Sequence, residues 1–417
     1  MENSQGQILA GILDAAEDAS PVEAVEAVTR KLGKLGARTV SFLIADLGGR
    51  ALVRLAHAPT DGAAAARRDG DESATVLPFD GGLAEQALRT QRVQVVAQPD
   101  GWTVWAPVTD RGEAIGLLEM TLPDEPAGQV LEEIARTAHA LAFVVIANRR
   151  HTDLYEWGQR GTPFTLSAEI QRRLLPASFT CEASAFILSG WLEPAASIGG
   201  DTFDYSVSRH VLHFSVTDAM GHGVASALTA TLGVGSLRNT RRRGAGLVEQ
   251  ANAANAAVAA HAGVPGSYMT AVLGRLDLHT GVCALLNAGH VPPLLVRGGD
   301  TQPLELPGNF PLGMFADADF HDGEIALQPG DRLVVVTDGM RERNAAEFDL
   351  SGALRSIAGL HPREAVRALA DAVLQVAGPN LADDATLLVL DWYDGHRGRR
   401  RTAAGADTQR ASAALPG

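Results

Sequence analysis

Acidic residues stand at the ends of several apolar runs in the second half of the chain. Asp218 and Asp338 each follow such a run, Asp383 and Asp384 precede another, and Asp201 follows a pair of glycines. Carboxylates at the ends of different strands can converge, and Mg²⁺ and Mn²⁺ prefer carboxylate and water oxygens as ligands. One Asp-Gly turn is ordinary turn chemistry. The repetition therefore predicts a site for hard cations, and the alternative is a set of turns that bind no metal.

Composition limits the class of protein. The 417 residues are 46% hydrophobic and 20% charged, which is typical of a globular protein of more than one domain. The net charge of −14 argues against a nucleic-acid partner. Cys181 and Cys283 lie too far apart in the sequence for a zinc motif and fit a reducing compartment. With no signal peptide and no apolar stretch of membrane-spanning length, we expect a cytoplasmic protein without a membrane segment.

The first part of the chain has the element order of a small sensor fold. The predicted elements are a helix at 8–36, strands at 39–44 and 51–56, a loop at 60–75, a short helix at 82–90, strands at 93–97, 102–108 and 114–121, and a long helix from 125. This order resembles a GAF domain. The resemblance implies a sensor domain over residues 1–125 whose closing helix extends to about 150, with an unknown ligand. The alternative is an α/β domain used only for dimerisation.

A helical linker is predicted over residues 126–161. Apolar and polar residues alternate there in steps of three and four, which is coiled-coil spacing, and Asn148 occupies a position where a polar side chain can set the register. This pattern predicts a parallel homodimer. The alternative is that residues 141–146 pack on the first domain. The seam residues are Ile134, Thr137, Leu141, Val144, Asn148, His151 and Tyr155.

Residues 162–394 read as a second, α+β domain. A helix at 166–175 stops at Pro176, and most of the domain beyond it is strand, interrupted by helices near 224–238, 246–261 and 362–376. The tail, residues 395–417, is predicted to be a disordered basic segment.

Five motifs in this domain, in this order, resemble the PPM (protein phosphatase 2C) superfamily and its bacterial SpoIIE-type branch. The resemblance implies an α-β-β-α sandwich and a metal-dependent serine/threonine phosphoprotein phosphatase that uses two Mn²⁺ or Mg²⁺ ions. The motifs are Gly199-Gly200-Asp201-Thr202-Phe203-Asp204, Thr217-Asp218-Ala219-Met220-Gly221-His222-Gly223, Asn287-Ala288-Gly289-His290, Thr337-Asp338-Gly339-Met340 and Asp383-Asp384.

The resemblance also implies a role for each acidic residue. Asp218 would bridge the two ions, and the Ala219 carbonyl would be a further ligand. Asp338 and Asp383 would complete the ion shells, while Asp201 would hold a metal-bound water. Asp218, Asp338 and Asp383 are therefore the expected catalytic residues.

Several neighbouring residues are auxiliary candidates. Met220 holds the place of a histidine that is implicated as general acid in the eukaryotic pattern, and His222 lies two residues further on. His222 is then either a proton donor to the leaving oxygen or a packing residue. The other candidates are Asp204, Asp384 as the alternative to Asp383, and Arg341 or Arg343 as a phosphate grip. For His290 a structural role is favoured over metal binding, because hard cations prefer oxygen.

These features together predict a cytoplasmic phosphatase that the sensor domain controls through the linker. The family resemblance implies an anti-sigma-factor antagonist as the phosphorylated protein substrate, within a partner-switching pathway. Two alternatives remain open at this point. One is a catalytically silent pseudophosphatase that binds a partner, and the other is a small-molecule phosphohydrolase with the same two ions.

Overall fold

The computed structural model describes residues 2–33, 36–56, 66–69, 72–160, 164–193, 200–260, 267–340, 349–377, 381 and 383–394. The described residues up to 160 belong to one compact unit, and those from 164 to 394 belong to a second. Among these described residues, no helix is both long and apolar enough to cross a membrane.

The first unit contains a seven-stranded antiparallel sheet with the strand order β3-β4-β2-β1-β7-β6-β5. Its strands are β1 Thr39–Ala45, β2 Ala51–Ala56, β3 Ala66–Asp69, β4 Glu72–Pro78, β5 Gln94–Gln98, β6 Gly101–Asp110 and β7 Glu113–Leu122. Its helices are α1 Glu2–Asp18, α2 Ala24–Leu32, α3 Leu83–Thr90, α4 Gly128–Asn148 and α5 Leu154–Gln159. The predicted first helix is two helices, and strands β3 and β4 occupy much of the predicted loop.

Both faces of this sheet are covered, because neighbouring side chains on a strand point to opposite faces. On β1, Phe42 and Ile44 join a cluster with residues of α2 and α4. Leu43 and Ala45 join the cluster that contains Ala87 and Leu88 of α3. The likeness of this unit to a GAF domain stays a prediction.

The predicted linker helix differs from the observed one. Helix α4 ends at Asn148, and α5 is a separate helix from Leu154 to Gln159, so a continuous helix to about residue 160 is wrong. Ile134, Leu141 and Val144 are at most 3% exposed and belong to the core of the first unit. Their spacing is therefore explained by packing within this unit, and a homodimer stays a prediction without this seam as its basis.

The second unit contains two antiparallel sheets. The five-stranded sheet has the order β10-β11-β12-β13-β16, and the six-stranded sheet has the order β15-β14-β17-β18-β9-β8. The strands are β8 Thr180–Glu182, β9 Phe186–Glu193, β10 Thr202–Val207, β11 Val211–Ala219, β12 Met269–Asp277, β13 Val282–Ala288, β14 Leu294–Arg297, β15 Asp300–Pro303, β16 Gly323–Ala326, β17 Arg332–Val336 and β18 Ala385–Trp392. The helices are α6 Leu166–Leu174, α7 Gly223–Arg242, α8 Leu247–Ala259, α9 Leu350–Ser356 and α10 Pro362–Ala377.

An apolar core joins the two sheets, and helices cover their outer faces. Phe214 and Val216 of the first sheet share a buried cluster with Val335 and Leu388 of the second. A separate cluster holds α7 and α8 against β12 and β13, while α10 packs on β9 and β18. The predicted α-β-β-α sandwich is confirmed.

Candidate active site

Both sheets of the second unit carry acidic residues at the same end of the sandwich. In the first sheet, Asp201 immediately precedes β10 and Asp218 lies near the end of its partner β11, since Thr202 pairs with Thr217. In the second sheet, Asp338 begins a short 3-10 turn after β17, and Asp383 and Asp384 precede β18. Antiparallel pairing thus brings a strand start and a strand end together in each sheet.

Hydrogen bonds tie these acidic groups across the sheets. Thr337 Oγ1 donates to Asp201 Oδ2 at 2.7 Å and accepts from the Thr386 amide at 2.9 Å. Gln171 Nε2, on α6, donates to the Asp201 carbonyl at 2.8 Å and to Asp384 Oδ2 at 2.6 Å. The carboxylates from the two sheets therefore occupy one site.

The site runs from the solvent into the interior. Asp338 is exposed, Asp218 and Asp383 are half-buried, and Asp201 and Asp384 are at most 2% exposed. Burial, followed by the charges of Asp338 and Asp383, raises the pKa of Asp218 to about 7. Burial, followed by the charges of Asp218 and Asp384, raises the pKa of Asp201 well above its ordinary value. Repulsion between the carboxylates is therefore the second cause of both shifts, and a bound cation would relieve that repulsion.

The donor chemistry fits hard divalent cations, because the site offers carboxylate and carbonyl oxygens. Across the described parts of the chain, no three or more His, Cys, Asp or Glu side chains form a closed ligand set. The fit to such cations rests on the types of donor and on their convergence at one end of the sandwich.

Two glycines of the motifs allow the close approach of backbone segments. A Cβ atom at Gly339 would lie 1.9 Å from the Asp384 carbonyl oxygen, and one at Gly200 would lie 2.6 Å from the Ala219 carbonyl oxygen. Each glycine is next to an aspartate of the site. Any larger side chain would push apart the two segments that carry the acids.

The auxiliary candidates have different positions. His222 is exposed at the N-terminus of α7. Burial raises the pKa of nearby Asp383, and the charge of His222 opposes that rise only in part. Asp204 does not join the other aspartates: its buried carboxylate pairs with Arg238 and Arg241 of α7 at 2.9 Å each. Arg341 and Arg343 lie outside the described residues.

His290 does not stand among the carboxylates as a ligand. It is buried, and its Nδ1 shares a 2.7 Å hydrogen bond with Thr270 Oγ1. Burial lowers its pKa to about 4, so the imidazole is neutral at neutral pH.

Sequence reasoning missed Gln171 and Thr337. A glutamine in a short amphipathic helix carries no signal that it faces an active site. Thr337 did carry a signal, because it directly precedes an aspartate of the site, as Thr217 also does.

A family model described as Stage II sporulation protein E (SpoIIE) matches residues 208–393. This part of the chain belongs to the SpoIIE family. The SpoIIE region carries Asp218, Asp338, Asp383 and Asp384, whereas Gln171 and Asp201 precede it.

Two proteins of Bacillus subtilis (strain 168) are among the relatives of this chain. Phosphoserine phosphatase RsbP is 26% identical over 177 residues, which are 39% of this chain and 42% of RsbP. Phosphoserine phosphatase RsbU is 23% identical over 235 residues, which are 54% of this chain and 68% of RsbU. The match therefore spans less than half of the length of RsbP.

Part of this chain is similar to solved structures, among them that of the RsbU and RsbW domains of Rv1364c from Mycobacterium tuberculosis. That match has 28% identity and a TM-score of 0.45, and it covers 55% of this chain and 64% of the other. The SiaA-PP2C domain of Pseudomonas aeruginosa matches with 22% identity and a TM-score of 0.47 over 54% of this chain and 93% of the other.

Proposed function

We propose that the second unit is a metal-dependent phosphatase that removes phosphate from serine or threonine in a protein. The observation that carries this proposal is the convergence of Asp201 and Asp218 from one sheet with Asp338, Asp383 and Asp384 from the other. Membership of the SpoIIE family supports it, and the relatives RsbP and RsbU are named phosphoserine phosphatases.

Asp218, Asp338 and Asp383 would hold two Mn²⁺ or Mg²⁺ ions, with Asp201 and the Ala219 carbonyl as further oxygen donors. Bound divalent ions of this kind polarise a phosphoryl group and make hydroxide available near neutral pH. Asp383 suits the ligand role better than Asp384, because Asp383 is half-buried, whereas Asp384 is buried against Gln171.

Other residues of this chain would orient these ligands or move a proton. Thr337 and Gln171 fix the side chain and the carbonyl of Asp201. His222 is exposed and close enough to Asp383 to influence its pKa. A protonated His222 can give its proton to the leaving serine or threonine oxygen, which makes it the candidate general acid.

The substrate that we propose is a phosphorylated anti-sigma-factor antagonist, with the first unit as the regulatory domain. The support is the likeness to RsbU and RsbP, together with the presence of a separate compact unit before the SpoIIE region.

The decisive experiment is phosphate release from a phosphoserine protein or peptide after chelation and after return of Mn²⁺. Wild type should lose activity in EDTA and regain it with Mn²⁺, while Asp218→Ala should stay inactive. Asp319→Ala is the control, because Asp319 is an aspartate of the same unit that is 85% exposed. Full activity of Asp218→Ala, or of chelated wild type, would contradict the proposal.

The choice of substrate separates the alternatives. Faster turnover of a phosphoprotein than of p-nitrophenyl phosphate supports a protein phosphatase. The reverse preference, or hydrolysis of a cyclic nucleotide, would favour a small-molecule phosphohydrolase. Mn²⁺ binding without turnover of any of these substrates would favour a pseudophosphatase.

A further inference from the structure

The loop that carries His290 is closed by its own hydrogen bonds. Asn287 Oδ1 accepts from the His290 amide at 2.8 Å, and Asn287 Nδ2 donates to the His290 carbonyl at 3.0 Å. Asn309 Nδ2 in turn donates to the Asn287 carbonyl at 3.0 Å. The backbone of His290 is therefore fixed.

One side of the ring reaches the strand beside Asp218. His290 Nδ1 bonds Thr270 Oγ1, and Thr270 lies directly opposite Asp218 in the β11–β12 pairing. Side chains of directly opposite residues share a face of the sheet, with Cβ atoms about 5 Å apart. His290 thus fixes the immediate neighbour of Asp218.

The other side of the ring faces the second sheet. His290 Nε2 is buried, and among the described residues it has no well-formed hydrogen bond. The backbone carbonyl of Val336 lies close enough to influence its pKa. Val336 ends β17, two residues before Asp338. The imidazole therefore stands between the strand next to Asp218 and the strand that leads to Asp338.

We infer that His290 is a positioning residue that sets the spacing between the Asp218 strand and the Asp338 strand through Thr270. The inference rests on the proposed function, since it concerns the same metal-binding carboxylates. Most of the contact between the two sheets is apolar, and apolar contacts are not directional. A ring that is hydrogen-bonded to the first sheet and lies beside the backbone of the second adds a fixed direction next to the site, where the Thr337–Asp201 bond also joins the sheets.

The test is a double-mutant cycle on His290 and Thr270. His290→Ala and Thr270→Val each remove one partner of the bond, and His290→Asn keeps a hydrogen-bonding side chain. His213→Ala is the matched control, because His213 is a half-buried histidine of the same sheet whose pKa is also lowered to about 4, five residues before Asp218. For every variant, Mn²⁺ affinity is measured by calorimetry, Tm is measured without metal, and kcat and KM are measured with p-nitrophenyl phosphate.

We expect His290→Ala and Thr270→Val each to weaken Mn²⁺ binding about tenfold or more, the range for groups that orient metal ligands. The double variant should bind Mn²⁺ no more weakly than the single variant of lower affinity. His290→Asn should recover part of the lost affinity, and His213→Ala should bind Mn²⁺ like wild type. The Tm readout identifies any variant that fails to fold, and Thr270→Val then carries the test, because it changes only a hydroxyl to a methyl group.

Three outcomes would overturn the inference. Folded His290→Ala and Thr270→Val with wild-type Mn²⁺ affinity would show that the ring only packs. Additive losses in the double variant would show that the two residues act separately. A wild-type protein that binds no Mn²⁺ would overturn the proposed function, and this inference with it, which distinguishes that failure from the first two.

Discussion

The paired strands β17 and β18 carry aspartates at both of their ends. The aspartates at one end pair with arginines, whereas those at the other end lie beside further aspartates. At one end, Arg332 pairs with Asp391 at 2.6 Å and Arg297 pairs with Asp331 at 2.6 Å. At the other end lie Asp338, Asp383 and Asp384, whose charges add to the effect of burial in raising the pKa of nearby Asp218.

The contrast separates structural acids from functional ones. A buried carboxylate needs a partner, and an arginine supplies both charge and hydrogen bonds at the first end. At the second end, acid faces acid, which lowers stability unless a cation enters. The pairing of Asp331 and Asp391 at one end and the gathering of carboxylates at the other are what the proposed cation site requires.

The largest expected effect contrasts the two ends directly. Asp391→Asn should reduce the free energy of unfolding by about 3–5 kcal/mol, because it leaves the buried Arg332 without its counter-ion. Asp338→Asn, at the other end, should leave the metal-free protein as stable as wild type or slightly more stable, because it removes a repelling charge. Urea unfolding in EDTA measures both. Equal destabilisation by the two changes would erase the distinction.

The second prediction concerns pH. The raised pKa of Asp218 means that the folded protein binds more protons than the unfolded chain between about pH 4 and 7, so this group makes metal-free stability fall as pH rises through that window. His213 and His290 act in the opposite direction below pH 6.5, because their pKa values are lowered to about 4.

Comparison with Asp218→Asn isolates the aspartate from the histidines. Between pH 4 and pH 8 in EDTA, the free energy of unfolding of the variant should rise relative to that of wild type by roughly a few kcal/mol. Saturating Mn²⁺ should reverse this ranking at pH 8. A stability difference that does not change with pH would mean that the carboxylates do not repel one another.

A smaller effect is expected at Gly339. Gly339→Ala places a methyl group against the Asp384 carbonyl, so the two acid-bearing segments must separate. We expect the free energy of unfolding to fall by about 1–3 kcal/mol, which is typical of overpacking, and Mn²⁺ binding to weaken. Gly359→Ala is the control, because no atom lies within 4 Å of a Cβ placed there. Unchanged Mn²⁺ affinity in Gly339→Ala would show that the segments separate without consequence.

The smallest effect is expected at Gln171. Gln171→Met removes the two hydrogen bonds to the Asp201 carbonyl and to Asp384. The free energy of unfolding should fall by about 1 kcal/mol, and the rate of phosphate release should fall several-fold. Arg173→Met is the control on the same helix, because that side chain is 60% exposed. Thermal unfolding and the phosphate-release assay measure both variants. Equal behaviour of the two would remove Gln171 from the site.

Sequence reasoning reached Asp218, Asp338 and the Asp383-Asp384 pair because each stands beside an apolar run, and runs of that kind become strands. Asp201 was reached through its motif, which begins with two glycines. The same reasoning could not reach the Gln171–Asp384 contact, which joins residues 213 positions apart and depends on how α6 packs. The α4 error has another cause. A spacing of three and four describes any helix with one buried face, whether that face meets a second helix or a sheet. Asp204 was grouped with the site by its motif, yet alternation along β10 turns its side chain towards α7.

The pKa of Asp218 near 7 has a consequence for how an ion enters the site. Near neutral pH, a fraction of the metal-free molecules hold a proton on this group, and an ion that binds the carboxylate must displace it. Ion uptake is therefore an exchange reaction that releases acid to the solvent. The heat of Mn²⁺ binding at pH 7 should consequently differ between phosphate-free buffers of high and low ionisation enthalpy, and the difference divided by that of the buffers counts the protons released.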